Sequence, residues 1–188
     1  MVSMTRDRLV STMGRLMQAQ GYAATGLNQV VADSGAPKGS LYHYFPHGKE
    51  QLAAEAIEVA GEEAAAAFGQ AFATEADPVE ALRAVVGWLQ HELVRSDFRY
   101  GCPIATVALE TSSQSARIRD ACRRAYRGWQ VAISTGLQTH GRSPERADPD
   151  AVLALCAIEG ALLLSRTERS VEPLVVLSQR LPDLIGDG

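Results

Sequence analysis

Lysine is nearly missing from this chain. Of 18 basic side chains among 188 residues, only Lys38 and Lys49 are lysines. Cysteine is scarce too: Cys102, Cys122 and Cys156 are odd in number and widely spaced, which fits neither a disulfide framework nor a Cys-x-x-Cys metal site. They are expected as buried, reduced thiols. No apolar run approaches the roughly 20 residues of a membrane span, and the N-terminus has no signal-like apolar stretch, so a cytoplasmic protein is expected. There is no internal repeat and no strand-like alternation. The four histidines and the acids form no metal-ligand spacing and no nucleophile motif. His43 and His47 are four apart, but Phe45-Pro46 ends the helix between them. These absences argue against an enzyme, and neither a metal nor any other cofactor is expected.

What is present is helix. The chain is 46% hydrophobic, ample for a core, and the apolar residues recur at helical spacing. Helix one is expected over residues 5–20, with Leu9, Met13, Leu16 and Met17 on one face and Gly21 as its end. A second, short helix follows Thr25, a suitable N-cap, and stops near Ser34-Gly35. Pro37 suits the first turn of a third helix, in which Leu41 and Phe45 point inward. An alanine-rich helix begins near Lys49. The pair Asp77-Pro78 reads as a cap plus a first-turn proline for a helix to about Arg95. A short helix is expected over 104–111 and a long one over 113–138. Residues 140–148 read as a polar loop, and Asp148-Pro149 as the cap of an apolar helix over 150–166. A last helix starts after Ser170 and ends near Pro182. The fold class is all-α, with about nine helices.

Charge is divided unevenly. Residues 1–50 hold Arg6, Arg8, Arg15, Lys38 and Lys49 against Asp7, Asp33 and Glu50, a net +2, which leaves −6 for the rest of a −4 chain. A mildly basic head on an acidic body binds DNA locally and does not coat it. Both lysines lie in residues 27–52, LNQVVADSGAPKGSLYHYFPHGKEQL, where two short helices meet at a tight turn. Lys38 can neutralise a phosphate. Ser40 and the Tyr42 hydroxyl can bond phosphate oxygens, and His43 can reach a base edge. Gly39 allows close approach of the backbone, and Lys49 can hold a flanking phosphate. Arg6 and Arg8 either touch the DNA backbone or are solvated.

The run GYAAT at 21–25, ADSGAPKGSLYHYF at 32–45 and KEQL at 49–52 resembles the DNA-binding head of the TetR family of bacterial repressors. The ending GAPKGSLYHYFPHGKEQL and Gly101-Cys102-Pro103-Ile104-Ala105 are most similar to that family's LmrA/YxaF branch. Gly26, Pro37 and Tyr44 depart from residues common in the family. The resemblance implies a DNA-binding domain over 1–47 and a ligand-binding and dimerisation domain over 48–188. It implies DNA contacts from Thr25, Pro37, Lys38, Gly39, Ser40, Tyr42, His43, Tyr44 and Lys49.

The 150–166 helix is apolar on more than one face, which calls for burial on several sides. Pairing it and the last helix with their copies makes a four-helix seam, for which Val152, Leu155, Ile158, Leu162, Leu174, Leu177 and Leu181 are the candidates. A homodimer can set two recognition helices in successive major grooves of a palindromic operator on double-stranded DNA. Trp88, His91, Tyr126 and Trp129 are candidates for an apolar effector pocket, with Cys102 and Ile104 beside them by family resemblance. Glu159, alone in its apolar helix, is either a polar determinant for the small-molecule effector or a partner for an arginine at the seam. The expected function is a ligand-released transcriptional repressor. A ligand-dependent activator, or a redox-responsive regulator using Cys102, Cys122 or Cys156, is the alternative.

Overall fold

The computed structural model describes residues 4–111 and 114–185. Among the described residues there are nine helices and no strand: α1 (Met4–Ala24), α2 (Leu27–Ser34), α3 (Ser40–Tyr44), α4 (Gly48–Thr74), α5 (Pro78–Arg95), α6 (Pro103–Thr111), α7 (Ala116–Thr139), α8 (Pro144–Glu168) and α9 (Glu172–Ile185). They fall into two compact units, Met1–Gly61 with Pro103–Ala125, and Glu62–Cys102 with Tyr126–Gly188. α4 and α7 each contribute to both.

In the first unit, α6 packs along α1, and α2 and α3 pack on the same helix. Leu9, Met13, Leu16 and Met17 of α1 are buried, as are Val30, Leu41, Phe45, Leu52, Ile57, Ile104 and Val107. The compact units thus do not follow a division at 47/48, because α6 and the start of α4 bury their apolar faces in the same unit as α1, α2 and α3. Gly21 does not end α1; it breaks it, and a further turn runs to Ala24. α2 ends at Gly35, whose φ of 62° is left-handed, a conformation glycine adopts without steric cost. Its N–H bonds the Ala32 carbonyl at 3.2 Å.

Thr25 is not the N-cap of α2. Gly26 holds that place without a side-chain cap, and the buried Thr25 hydroxyl donates to the Gly21 carbonyl at 2.7 Å. The break at Gly21 leaves that carbonyl needing a donor, and Thr25 is the one at hand. Pro37 does not enter α3 either. It opens a turn in which the Ser40 N–H bonds the Pro37 carbonyl at 2.9 Å, and α3 starts at Ser40.

The second unit is built on α5, α8 and α9, which pack on one another. Asp77 caps α5 as expected, its Oδ1 accepting from the Val79 and Glu80 amides at 2.7 and 3.2 Å. The expected loop over 140–148 is instead the first turn of α8 from Pro144 on, with Ser143 at the N-cap and Pro149 inside the helix. Ala147 and Ala151, four apart, are both fully buried, and that packing outweighs the bond Pro149 cannot make. The side chain of Arg142, almost wholly buried, pairs with Asp150 and bonds the Ile185 carbonyl. α9 likewise runs through Pro182 to Ile185, since Leu181 and Ile185 are both buried. The expected start of α7 at residue 113 lies outside the described residues; Ser115 caps the helix, its Oγ accepting from the Ile118 amide at 3.1 Å.

Candidate functional site

The turn between α2 and α3 and the outer face of α3 make the site. Leu41 and Phe45, four apart, are buried, which fixes the helix phase and turns the residues between them outward. Tyr42 is 65% exposed, and Pro37, Lys38, Gly39 and His43 are exposed. Ser40 is half-buried and its hydroxyl donates to the Pro37 carbonyl at 2.7 Å, leaving the oxygen's lone pairs as acceptors. The half-buried Tyr44 ring meets the His43 ring edge-on, centroids 4.9 Å apart. One face therefore presents a cation, a phenol and an imidazole beside a stretch of bare backbone.

Four residues considered for DNA contact are engaged within the protein. Thr25 is buried, as described. Lys49 is half-buried; its Nζ donates to the Ala23 carbonyl at 3.3 Å and lies 4.2 Å from the Tyr22 ring centroid. Burial pushes the Lys49 ammonium below its ordinary pKa, and the Glu110 charge acts the other way. Arg6 pairs with Glu55 and lies over the Phe45 ring, while Arg8 donates to the Gly35 carbonyl at 3.2 Å. Glu110 was not legible as part of this region. It stands 87 residues from Ala23, and no sequence spacing links the two.

In the body, Tyr126 and Trp129 meet edge-on at 5.2 Å, with Phe68 at 6.4 Å from Trp129. Glu159 is half-buried. Burial pushes its carboxyl above the usual carboxylate range, and a hydrogen bond from the Cys102 thiol pulls the other way. Trp88 is 56% exposed and His91 exposed; helical phase sets Trp88 at the edge of the buried stripe Ala81, Leu82, Val85, Val86 and Leu93 and His91 on the far side of α5. Ile104 is buried in the first unit.

The seam candidates divide in the same manner. Leu155, Ile158, Leu162, Leu174, Leu177 and Leu181 are buried in the chain's own core, and only Val152 of the seven is exposed. The opposite face of α8 carries Leu153, Cys156, Leu163 and Leu164, all exposed, with Leu163 at 58% and Leu164 at 52%. Exposed Cys156 departs from the expected buried thiol. Cys122 is buried, and desolvation pushes its thiol up to about 11, which suppresses the reactive thiolate.

Among the described residues, no helix is long and apolar enough to cross a membrane. Residues 14–56 match the family described as bacterial regulatory proteins, tetR family. Residues 78–180 match the transcriptional regulator LmrA/YxaF-like C-terminal domain. The chain is similar to the HTH-type transcriptional regulator LmrA of Bacillus subtilis (strain 168), 38% identical over 96% of both chains. It is 36% identical to that organism's HTH-type regulator YxaF, over 96% of this chain and 95% of the relative. In fold it resembles the crystal structure of a regulatory protein TetR from Rhodobacter sphaeroides, with a TM-score of 0.84, 22% identity and coverage of 97% and 99% of the two chains. These relatives are transcriptional regulators and not enzymes, and this chain belongs to the TetR family of DNA-binding transcriptional regulators, in the branch with the LmrA/YxaF-like C-terminal domain.

Proposed function

We propose that this regulator is a repressor that binds a palindromic operator as a homodimer and is released by a small, mostly apolar effector. The observation that carries the reading is the turn before α3 together with the outer face of α3, where Lys38, Gly39, Tyr42 and His43 are exposed while Leu41 and Phe45 anchor the helix. Residues 1–47 supply the DNA contacts and the remainder the effector and subunit contacts. Acting on operator DNA puts the protein in the cytoplasm.

The exposed apolar face of α8, Val152, Leu153, Leu163 and Leu164, continued by Val176 on α9, supports the dimer. Apolar side chains gathered on one face favour removal from water, and a two-fold pairing of identical helices covers them. The Tyr126–Trp129–Phe68 cluster and the Glu159 carboxyl support an effector with a flat apolar body and a hydrogen-bonding group. To move the population from 1:99 to 99:1, such an effector must favour the released state by about 5.5 kcal/mol.

The test is binding of purified protein to labelled intergenic DNA from upstream of its own gene, across a salt series. Tight binding by a dimer that weakens as salt rises supports the repressor. Binding no stronger than to competitor DNA, after removal of any co-purified small molecule under mild denaturant, rules out autoregulation at that site.

A further inference from the structure

The break in α1 is filled by a side chain from another helix. At Gly21 the backbone takes φ 84° and ψ 171°, and a Cβ built there would lie 1.9 Å from Glu110 Oε1 and 2.9 Å from its Cδ. The Glu110 carboxylate of α6 thus occupies the place of a residue-21 side chain. Its Oε2 accepts from the Ala23 amide at 2.8 Å. On the same short segment, Lys49 Nζ holds the Ala23 carbonyl and lies over Tyr22, and Thr25 holds the Gly21 carbonyl. Next to Lys49, Glu50 accepts a hydrogen bond from the Ser115 hydroxyl at the start of α7. The last turn of α1, beyond the break, is therefore pinned by charge-assisted contacts, and α2 begins only six residues after Gly21.

We infer that Glu110 is a positioning residue for DNA recognition. Through the Ala23 amide and the Lys49 ammonium it sets the angle at which α2, and with it the α2–α3 pair, leaves α1, so that the pair is oriented against α6. Glu110 itself touches no DNA. The inference rests on the DNA-reading role of α2–α3 and adds the residue that orients them. Orientation governs specific binding, in which base-reading groups must all be in register, far more than non-specific binding, which is backbone electrostatics.

The experiment compares wild type, Glu110→Ala and Glu110→Gln on two duplexes of equal length. One is selected from random sequence by the wild-type protein, and the other is of mixed sequence. Glu110→Ala loses about tenfold on the selected duplex, the scale of one charge-assisted hydrogen bond, and keeps or gains affinity for the mixed one. Glu110→Gln, which still accepts from Ala23, loses less. Hydrogen exchange at the Ala23 amide quickens in Glu110→Ala. Unchanged affinity for the selected duplex, equal fractional losses on both duplexes, or unchanged Ala23 exchange overturns the inference. If wild type selects no duplex at all, the DNA-reading role fails instead, and Ala23 exchange alone decides whether Glu110 holds the last turn of α1.

Discussion

Arg83 Nε donates to the Ser178 carbonyl at 3.1 Å, and that carbonyl is the one Pro182, four residues further along α9, has no N–H to serve. A side chain from α5 thus replaces a missing rung of the α9 ladder. This is how a helix keeps a proline inside it.

The replacement has a measurable signature. Arg83→Met should lower stability by about 1–2 kcal/mol, the cost of an unmet carbonyl. In a Pro182→Ala background, where the backbone regains the N–H that serves Ser178, the same change should cost much less. Urea unfolding at fixed protein concentration checks this as a double-mutant cycle. Additive effects of the two substitutions would show that Arg83 and Ser178 are not coupled through the proline.

For the reading face, Lys38→Ala and Tyr42→Ala should weaken operator binding while changing stability by less than about 0.5 kcal/mol, since both side chains are exposed. Lys38→Ala should also flatten the slope of log affinity against log salt by about 0.9 for each lost phosphate contact. Full operator affinity in both variants would remove α3 from the interface.

Subunit pairing is tested on α8. Leu163→Lys or Leu164→Glu, exposed in the single chain, should leave a folded, helical monomer by sedimentation, because a charge introduced there costs little until a second copy covers it. Leu162→Lys, on the buried face, should unfold the chain instead. A Leu163→Lys protein that remains dimeric at micromolar concentration would place the seam elsewhere.

Glu159 predicts a pH dependence. Burial raises its carboxyl pKa in the folded chain, against a smaller opposing effect of the Cys102 thiol. The folded state therefore binds its proton more tightly than the unfolded state does. Stability contributed by this group is present at acid pH and is lost as pH rises from the ordinary carboxylate range through the raised value. Glu159→Gln, uncharged at every pH, should remove that decline and be the more stable form at neutral pH. Unfolding midpoints measured from pH 4 to 8 with the same slope in both proteins would show that the carboxyl is solvated in the fold.

Much of this protein was legible one helix at a time. The Leu41/Phe45 spacing gave the phase of α3 and so its exposed face, and Asp77-Pro78 gave the start of α5, because caps and periodicity are short-range physics. The same local rule failed at Asp148-Pro149, where Ser143-Pro144 offered an equally good start and burial of Ala147 chose between them. Periodicity on α8 showed two apolar faces without saying which one the chain would bury itself. The structure buries Leu155, Ile158 and Leu162 and leaves Leu153, Leu163 and Leu164 outside. Trp88 and His91 have the chemistry of pocket residues, yet both are exposed, Trp88 at the edge of the α5 stripe and His91 on its far side.

The amino-acid sequence by itself determined the helical class, the helix-turn-helix and the family, since these rest on residue spacing and on motifs that a one-dimensional pattern carries. Only the tertiary structure decided that Lys49 lies on the Ala23 carbonyl, that Glu110 fills the gap at Gly21, and that Arg83 serves the carbonyl Pro182 cannot. Each of these joins groups from separate helices, and the free energy of such a contact depends on where packing sets the two helices, which no local pattern records.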